Sequence, residues 1–505
     1  MDELIKQAES DHDHPFFTVP LAERLRRHHY ASPAHNAIAL FQRSAAAVPA
    51  YRAFLQEHRI DPTEITDVSH FQQLPLVNKN NYMRAYDLPL RCWQGRLDLM
   101  EMIAVSSGST GTPLFWPRSR QHELEVAARF EQLFAESFQA GQRSTLAIVC
   151  FAMGTWVGGM YSAQCCRYLS QKGYRLTLAT PGNNKNEIFR IVTELGPHYD
   201  QVVLLGYPPF IKDVIDSGLS QGVNWPAYAI KMVFAGEVFS EEWRALVCQR
   251  AGSSAPSWDT ASLYGTADAG VLGNETPLSI TLRRMLAQAP AAARTLFGES
   301  RLPSLLQYDP LSRYFEVVDN TLVVTGDSGT PLIRYHIADK GGVITYPDMI
   351  DFITTTIGDP LVLLGNAVAG LSCELPFVYL FGRADFTVSF FGANVYPENI
   401  TVALEQPEIC QCVTGKFVLE VQASDDHDEY LSVTVELLPD IVASVELEQR
   451  ISAAILAQLR RLNSEFANYV PQEYQAPVVK LRPLGDADYF PLGIKHRYTR
   501  FVRNS

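Results

Sequence analysis

Residues 106–113 read SSGSTGTP, a stretch in which hydroxyl side chains surround two glycines and a proline closes the run. Small residues let a backbone pass close to a ligand, and hydroxyls beside free N–H groups supply the donors an anion needs. Phosphate suits that chemistry best. The common nucleotide P-loop needs a Gly-Lys-Ser/Thr ending, whereas here Gly111 is followed by Thr112 and Pro113. A dinucleotide G-x-G-x-x-G fingerprint is absent too. Taken alone, the stretch reads first as a Ser/Gly-rich surface turn.

Other reactive residues carry weaker signals. His12 and His14 alternate with Asp11 and Asp13 near the start of the chain, a pattern that reads as solvated rather than metal-binding. The eight cysteines show no C-x-x-C spacing, so reduced, mostly buried thiols are expected rather than a zinc or redox site.

The elements that would carry such a loop follow from periodicity. AIALFQRSAAAVPAYRAFLQEHRI spaces its apolar residues as two helices joined at Pro49. Farther on, the short apolar runs LAIVCFA, RLTLAT, QVVLLG and IKMVFAGE alternate with the helical stretches EIFRIVTELG and PFIKDVIDSG. That alternation predicts an α/β fold with a largely parallel sheet covered by helices. Between about Glu316 and Ile353 the runs become short and β-rich, which predicts a β subdomain. After LFGRADFTVSFFGANVYPENI comes a small α+β region, whose helix places Ile451, Ile455, Leu459, Leu462 and Phe466 on one face. The expected division is 1–382 and 383–505.

Bulk composition narrows the function classes. A chain of 505 residues exceeds what one core usually covers. Apolar residues at 47% and charged residues at 19% describe a folded protein rather than a disordered one. The formal net charge of −13 argues against general nucleic-acid binding, which needs a Lys/Arg excess. No run approaches the roughly 20 apolar residues of a membrane span, and the acidic start lacks the features of a secretory peptide. A soluble, cytoplasmic location is the expectation.

Company changes the reading of SSGSTGTP. The stretch resembles the phosphate loop of the adenylate-forming superfamily of acyl-CoA synthetases, adenylation domains and luciferases. Further segments similar to that family's motifs follow in order between about Val48 and Arg500. VPAYRAFLQEHRIDP, QLPLVNKNNY and FAMGTWVGGM look like the phenylacetate-CoA ligase branch. The resemblance implies a large N-terminal domain binding acid and ATP, and a small mobile C-terminal lid.

The resemblance also implies roles, position by position. Ser106, Ser107, Gly108, Ser109, Thr110 and Gly111 would meet the phosphates. FAGEVFSEEWR is similar to the segment lying against adenine, which puts Ala235, Gly236 and Glu237 there. YGTADAG resembles a Tyr-Gly-x-Thr/Ser-Glu motif: Tyr264 would pack on adenine beside Gly265, and Asp268 would hold Mg²⁺. Asp is shorter than the family's Glu and would reach the metal through water. Ala267 lacks the hydroxyl expected at its place, leaving neighbouring Thr266 as its substitute. PLIRYHIAD makes Asp339 the ribose ligand, since one carboxylate accepts two hydrogen bonds. The tempting TGD at 325–327 falls upstream, in an expected hairpin turn.

Arg383 would reach the ribose, Asp385 would be the hinge, and Gly392 would shape the thiol channel. Phe386 stands where a second acid is common. PLGIKHRYTR makes Lys495 the catalytic cation, although Ile494 separates it from Gly493 where many relatives join Gly and Lys directly. Lys416, in VTGKF, is the rival lysine. Phe151, Met153, Trp156 and Tyr207 would line the acid pocket, a ring-rich wall suited to an aryl acid.

The implied activity is an ATP-dependent, AMP-forming acid–CoA ligase that uses ATP, Mg²⁺ and coenzyme A. Two alternatives stay open: transfer of the acyl group to an amine or a carrier-protein thiol, and a nucleotide-binding protein with weak or no catalysis. Expected partners are a small, aromatic carboxylic acid and, on the second reading, a carrier protein. Members of the family often pair as homodimers, and neither nucleic acid nor membrane is expected as a partner.

Overall fold

The computed structural model describes residues 14–105, 114–155, 157–299, 302–365, 374–383, 388–391, 393–423, 429–463, 466–467, 470–491, 496 and 498–499. Strands β1 (Met102–Val105) and β2 (Phe115–Arg118) pair antiparallel, with Val105 opposite Phe115. Residues 106–113, the expected phosphate loop, lie between them and outside the described residues.

The next strands are β3 (Thr145–Val149), β4 (Leu176–Ala179), β5 (Gln201–Gly206), β6 (Lys231–Ala235) and β7 (Thr260–Thr266). They lie side by side in the order β7-β6-β5-β3-β4, all parallel. β3 and β5 are buried along their whole length, as expected of strands covered on both faces. The side chains alternate strictly. Ala147, Val149, Val203, Leu205 and Val233 enter a core on one face, and Leu146, Ile148, Val202, Leu204 and Met232 enter a core on the other.

Helix Val157–Gln171, which links β3 to β4, packs on the first face. Helices Lys185–Leu195, Pro208–Ser220 and Glu241–Arg250 make the later crossovers and pack on the second. Side-chain caps fix their starts: Asn184 accepts from the Glu187 amide, and Ser240 accepts from the Trp243 amide at 3.0 Å.

The sheet then turns antiparallel. β8 (Gly270–Asn274), β9 (Ser304–Gln307), β10 (Arg313–Val318), β11 (Thr321–Gly326), β12 (Leu332–Ile344) and β13 (Phe377–Arg383) complete eleven strands in the order β10-β11-β12-β13-β9-β8-β7-β6-β5-β3-β4. The β-rich stretch read from sequence as a subdomain thus extends the same sheet. Its inner face is covered by the two N-terminal helices, Pro33–Ala47 and Pro49–Glu57, whose Leu40, Phe41, Tyr51 and Phe54 share a core with Val324 and Tyr335.

Residues Val388–Val479 have a core of their own. There β14 (Val388–Phe390) pairs with β15 (Ala393–Val395), and β16 (Val413–Ala423), β17 (Glu429–Leu437) and β18 (Val478–Arg482) form a three-stranded sheet. Helix Val445–Leu462 buries Ile451, Ile455 and Leu459 against that sheet. The helix ends sooner than its periodicity suggests. Phe466 is still fully buried, because Asn463 Oδ1 accepts its amide at 2.9 Å and turns the chain back to the core. Among the described residues no helix is long and apolar enough to cross a membrane.

Candidate active site

The parallel strands create the site's geometry. β3 connects outward to β4, whereas β5 connects the opposite way to β6, and the crossover after β3 packs on the opposite face from the one after β5. Where strand order reverses in this way, a crevice opens beyond the carboxyl ends of the two strands. Phe151 and Met153 follow β3, and Tyr207 follows β5, so these expected acid-pocket residues stand on the two sides of that crevice. All three are partly exposed. Trp156 lies outside the described residues.

Close packing brings the β3 side into place. A Cβ at Gly159 would stand 2.4 Å from the Ala152 carbonyl oxygen and 3.0 Å from the Met153 sulfur. Only glycine lets helix Val157–Gln171 begin directly over the Phe151–Met153 turn.

β6 supplies the neighbouring wall. Ala235 ends the strand, Gly236 turns the chain at φ +98°, and Glu237 projects from the turn. The positive φ is a conformation that favours glycine. Among the described residues, the Glu237 carboxylate accepts from the Tyr207 hydroxyl and from the Tyr498 hydroxyl at 2.7 Å. Burial, followed by the Glu237 charge, pushes both phenols well above their ordinary range, so both act as neutral donors.

At the end of β7, Tyr264 donates to Asp339 Oδ2 at 2.5 Å, and both residues are buried. Asp339 sits on β12 opposite Arg383 of β13, so the two expected ribose residues share one register position. Gly265 continues β7, and Thr266 Oγ1 accepts the Ala269 amide at 3.1 Å to close the turn into β8. The hydroxyl proposed to stand in for Ala267 therefore already serves that turn.

Asp268 is 3% exposed. Its Oδ2 accepts from the Tyr335 hydroxyl at 2.6 Å and pairs with the Lys79 ammonium at 3.1 Å. Lys79 is delivered by main-chain bonds that dock Val77 on β12: the Val77 amide donates to the Arg334 carbonyl at 3.1 Å, and the His336 amide donates to the Val77 carbonyl at 2.8 Å. Beneath, the buried Arg118 guanidinium donates to the backbone carbonyls of Ala267 and, at 3.2 Å, Asp268.

This arrangement does not fit Mg²⁺ ligation at Asp268. The carboxylate is already neutralised by an ammonium on the same oxygen, and a divalent cation placed there would face that ammonium at close range. Among the described residues no group of three or more His, Cys, Asp or Glu is placed to hold a metal ion.

Several expectations fall outside the described residues: Ser106–Gly111, Asp385, Phe386, Gly392 and Lys495. The expected hairpin at Asp327 is present between β11 and β12, where that carboxylate accepts from Trp93 Nε1 at 3.2 Å and pairs with Arg43. Lys416 lies on β16, paired with Glu436 at 3.1 Å. Lys79, Arg118, Tyr335 and Tyr498 hold the site together without having been assigned a part from sequence. Lys79 belongs to the segment QLPLVNKNNY, where nothing local indicates a partner as distant as Asp268.

The fold matches that of 2-hydroxyisobutyryl-CoA ligase crystallised in the postadenylation state with 2-HIB-AMP. The TM-score is 0.63 at 15% identity, over 97% of this chain and 92% of that one. An open conformation of the same ligase, with 2-HIB-AMP and CoA, matches with a TM-score of 0.52 at 14% identity, over 96% and 93% of the two chains. No family model and no curated protein matches the chain.

Proposed function

We propose, from the fold of an acid–CoA ligase, that this protein activates a carboxylic acid with ATP and passes the acyl group to coenzyme A. A carboxylate oxygen attacks the α-phosphorus, forming a P–O bond and breaking the α–β bridging bond, which yields an acyl-adenylate and pyrophosphate. The thiol sulfur then attacks the acyl carbon. A C–S bond forms, the C–O bond to phosphate breaks, AMP leaves with that electron pair, and the thiol proton passes to solvent.

One observation supports this reading: Phe151 and Met153 follow β3 and Tyr207 follows β5 at the strand-order reversal, Tyr207 donates to Glu237 after β6, and Tyr264 of β7 donates to the buried Asp339. Acid on the β3–β5 side and nucleotide on the β6–β7 side would put carboxylate and α-phosphate next to each other, so that reaction needs orientation more than acid–base chemistry. On this reading Asp339 takes the ribose hydroxyls, Gly236 and Glu237 border the adenine, and residues 106–111 with Lys495 meet the phosphate charge. The two rings, Phe151 and Tyr207, favour a flat aryl acid over an alkyl chain. Residues 383–505 would act as the mobile unit that alternates between the two steps.

The test is exchange of labelled pyrophosphate into ATP across a panel of aryl and aliphatic acids. Exchange with aryl acids is expected, followed by thioester formation when CoA is added. Exchange confined to medium-chain fatty acids would reject the aryl assignment. Acyl products found only with an amine or a carrier protein would replace CoA as acceptor, and ATP binding without exchange for any acid would reject the ligase.

A further inference from the structure

Two parts of the chain meet at Glu237. Tyr207 and Glu237 follow strands β5 and β6 of the large sheet, whereas Tyr498 packs with the C-terminal unit and its separate core. Tyr498 is fixed there by the edge of β16: the Leu419 amide donates to the Tyr498 carbonyl at 2.7 Å, and Thr499 makes a parallel bridge with Leu419. Its ring packs on Phe417 at 4.8 Å and edge-on against His496 at 4.5 Å. His496 Nε2 in turn meets the Phe417 carbonyl at 2.6 Å. Tyr498 is therefore a rigid probe of the C-terminal unit, and its hydroxyl ends on the far oxygen of the carboxylate that holds Tyr207.

Among the described residues, side-chain contacts at Ser240 and Arg250 also join the two units. Ser240 donates to Glu405, and Arg250 approaches the Cys410 sulfur at 3.7 Å. Neither touches a crevice wall. Glu237 does, because Tyr207 is both its partner and the residue that follows β5 at the strand-order reversal.

Resting on the two-step reading above, we propose that Glu237 is a latch between crevice and C-terminal unit: it seats Tyr498 for adenylation and releases it for the thiol step. A carboxylate accepting from two neutral phenols is held by both, and losing or displacing one donor changes its hold on the other. An acid or adenylate that moves the Tyr207 ring thus alters the grip on Tyr498, which couples occupancy of the crevice to the position of the C-terminal unit. Glu237 and Tyr498 are positioning residues here, acting on the geometry of the reacting groups rather than on their bonds.

The experiment compares Tyr498→Phe, Glu237→Gln and the double variant in full-length protein. Two half-reactions are read separately: acid-dependent pyrophosphate exchange, and thioester formation from supplied acyl-adenylate and CoA. A third readout is amide hydrogen exchange at Leu419, which needs no activity. Tyr498→Phe should slow pyrophosphate exchange about tenfold or more, the size of a hydrogen bond to a charged group. It should leave thioester formation unchanged or faster and speed exchange at Leu419. The double variant should lose no more than the stronger single variant, because both substitutions break one contact.

Equal loss in both half-reactions, or unchanged Leu419 exchange in Tyr498→Phe, would overturn the latch. Fully additive losses in the double variant would overturn it as well. Failure of the ligase reading looks different: wild-type protein would exchange no pyrophosphate with any acid, while Leu419 exchange would still report whether the contact holds the C-terminal unit.

Discussion

Two carboxylates read from sequence as nucleotide-site residues, Glu237 and Asp268, each have two partners among the described residues, yet these partners come from different places. Those of Asp268 are Tyr335 on β12 and Lys79, docked on the same strand, so the whole group moves as one body. Those of Glu237 are a crevice wall and a residue of the C-terminal unit. Asp268 is 3% exposed, and Glu237 is only half-buried. The same chemistry thus builds a fixed scaffold in one place and a breakable contact in the other. What decides between them is which elements the donors belong to.

The sharpest way to break that contrast is to remove each carboxylate. Asp268→Ala should destabilise the protein by about 2–3 kcal/mol in urea unfolding, because it removes the buried carboxylate that accepts from the Tyr335 hydroxyl and pairs with the partly exposed Lys79 ammonium. Glu237→Ala should cost about 1 kcal/mol or less by the same measurement. Equal costs would erase the distinction. Raising Mg²⁺ should not protect Asp268 variants or wild type differently, as judged by the same unfolding midpoints; a selective shift in wild type would restore the metal role that Lys79 argues against.

Lys495→Ala should abolish pyrophosphate exchange while sparing thioester formation from supplied adenylate, if residues 383–505 alternate between steps. Equal loss in both would contradict alternation. Asp339→Asn should raise the KM for ATP about tenfold, the worth of one good hydrogen bond to a charged group, with little effect on the affinity for the acid. The smaller effect concerns pH. Glu405 accepts from Ser240 across the two units, and its second oxygen is buried without a hydrogen-bond partner among the described residues.

Burial pushes the Glu405 carboxyl up to about 8, helped by the Glu242 charge and opposed by Ser240, Arg283 and Lys212. A raised carboxyl favours the docked, protonated form. Docking is then strongest below the free carboxyl's ordinary range and weakens as pH climbs from there to about 8. Hydrogen exchange in residues 413–423 should accelerate over that window, and Glu405→Gln should flatten the dependence. A flat wild-type profile would remove Glu405 from the docking contact.

Much of this architecture was legible because it is written locally. The runs at β3, β5 and β6 are unbroken apolar stretches bounded by turn residues, and Pro49 marks the join of the two N-terminal helices. The motif positions were legible only through resemblance, since no spacing by itself makes Tyr264 and Asp339 neighbours. What escaped was long-range pairing. Lys79 reads as an ordinary polar residue until Val77 docks on β12, and Tyr498 reads as a terminal ring until β16 turns it toward Glu237. The β-rich stretch reads as a β subdomain, and nothing local in its turn-rich antiparallel pattern shows that it continues into the strands beside β7. It does so through β13, β9 and β8, which make one sheet of both halves.

The tight seat of Gly159 over the Ala152 carbonyl also limits how the crevice can be reshaped. Helix Val157–Gln171 has no room to slide toward β3, and any side chain at Gly159 would shove the Phe151–Met153 turn outward. On the ligase reading, altering which acids fit would therefore proceed by exchanging rings at the rim, with the floor beneath them left as glycine.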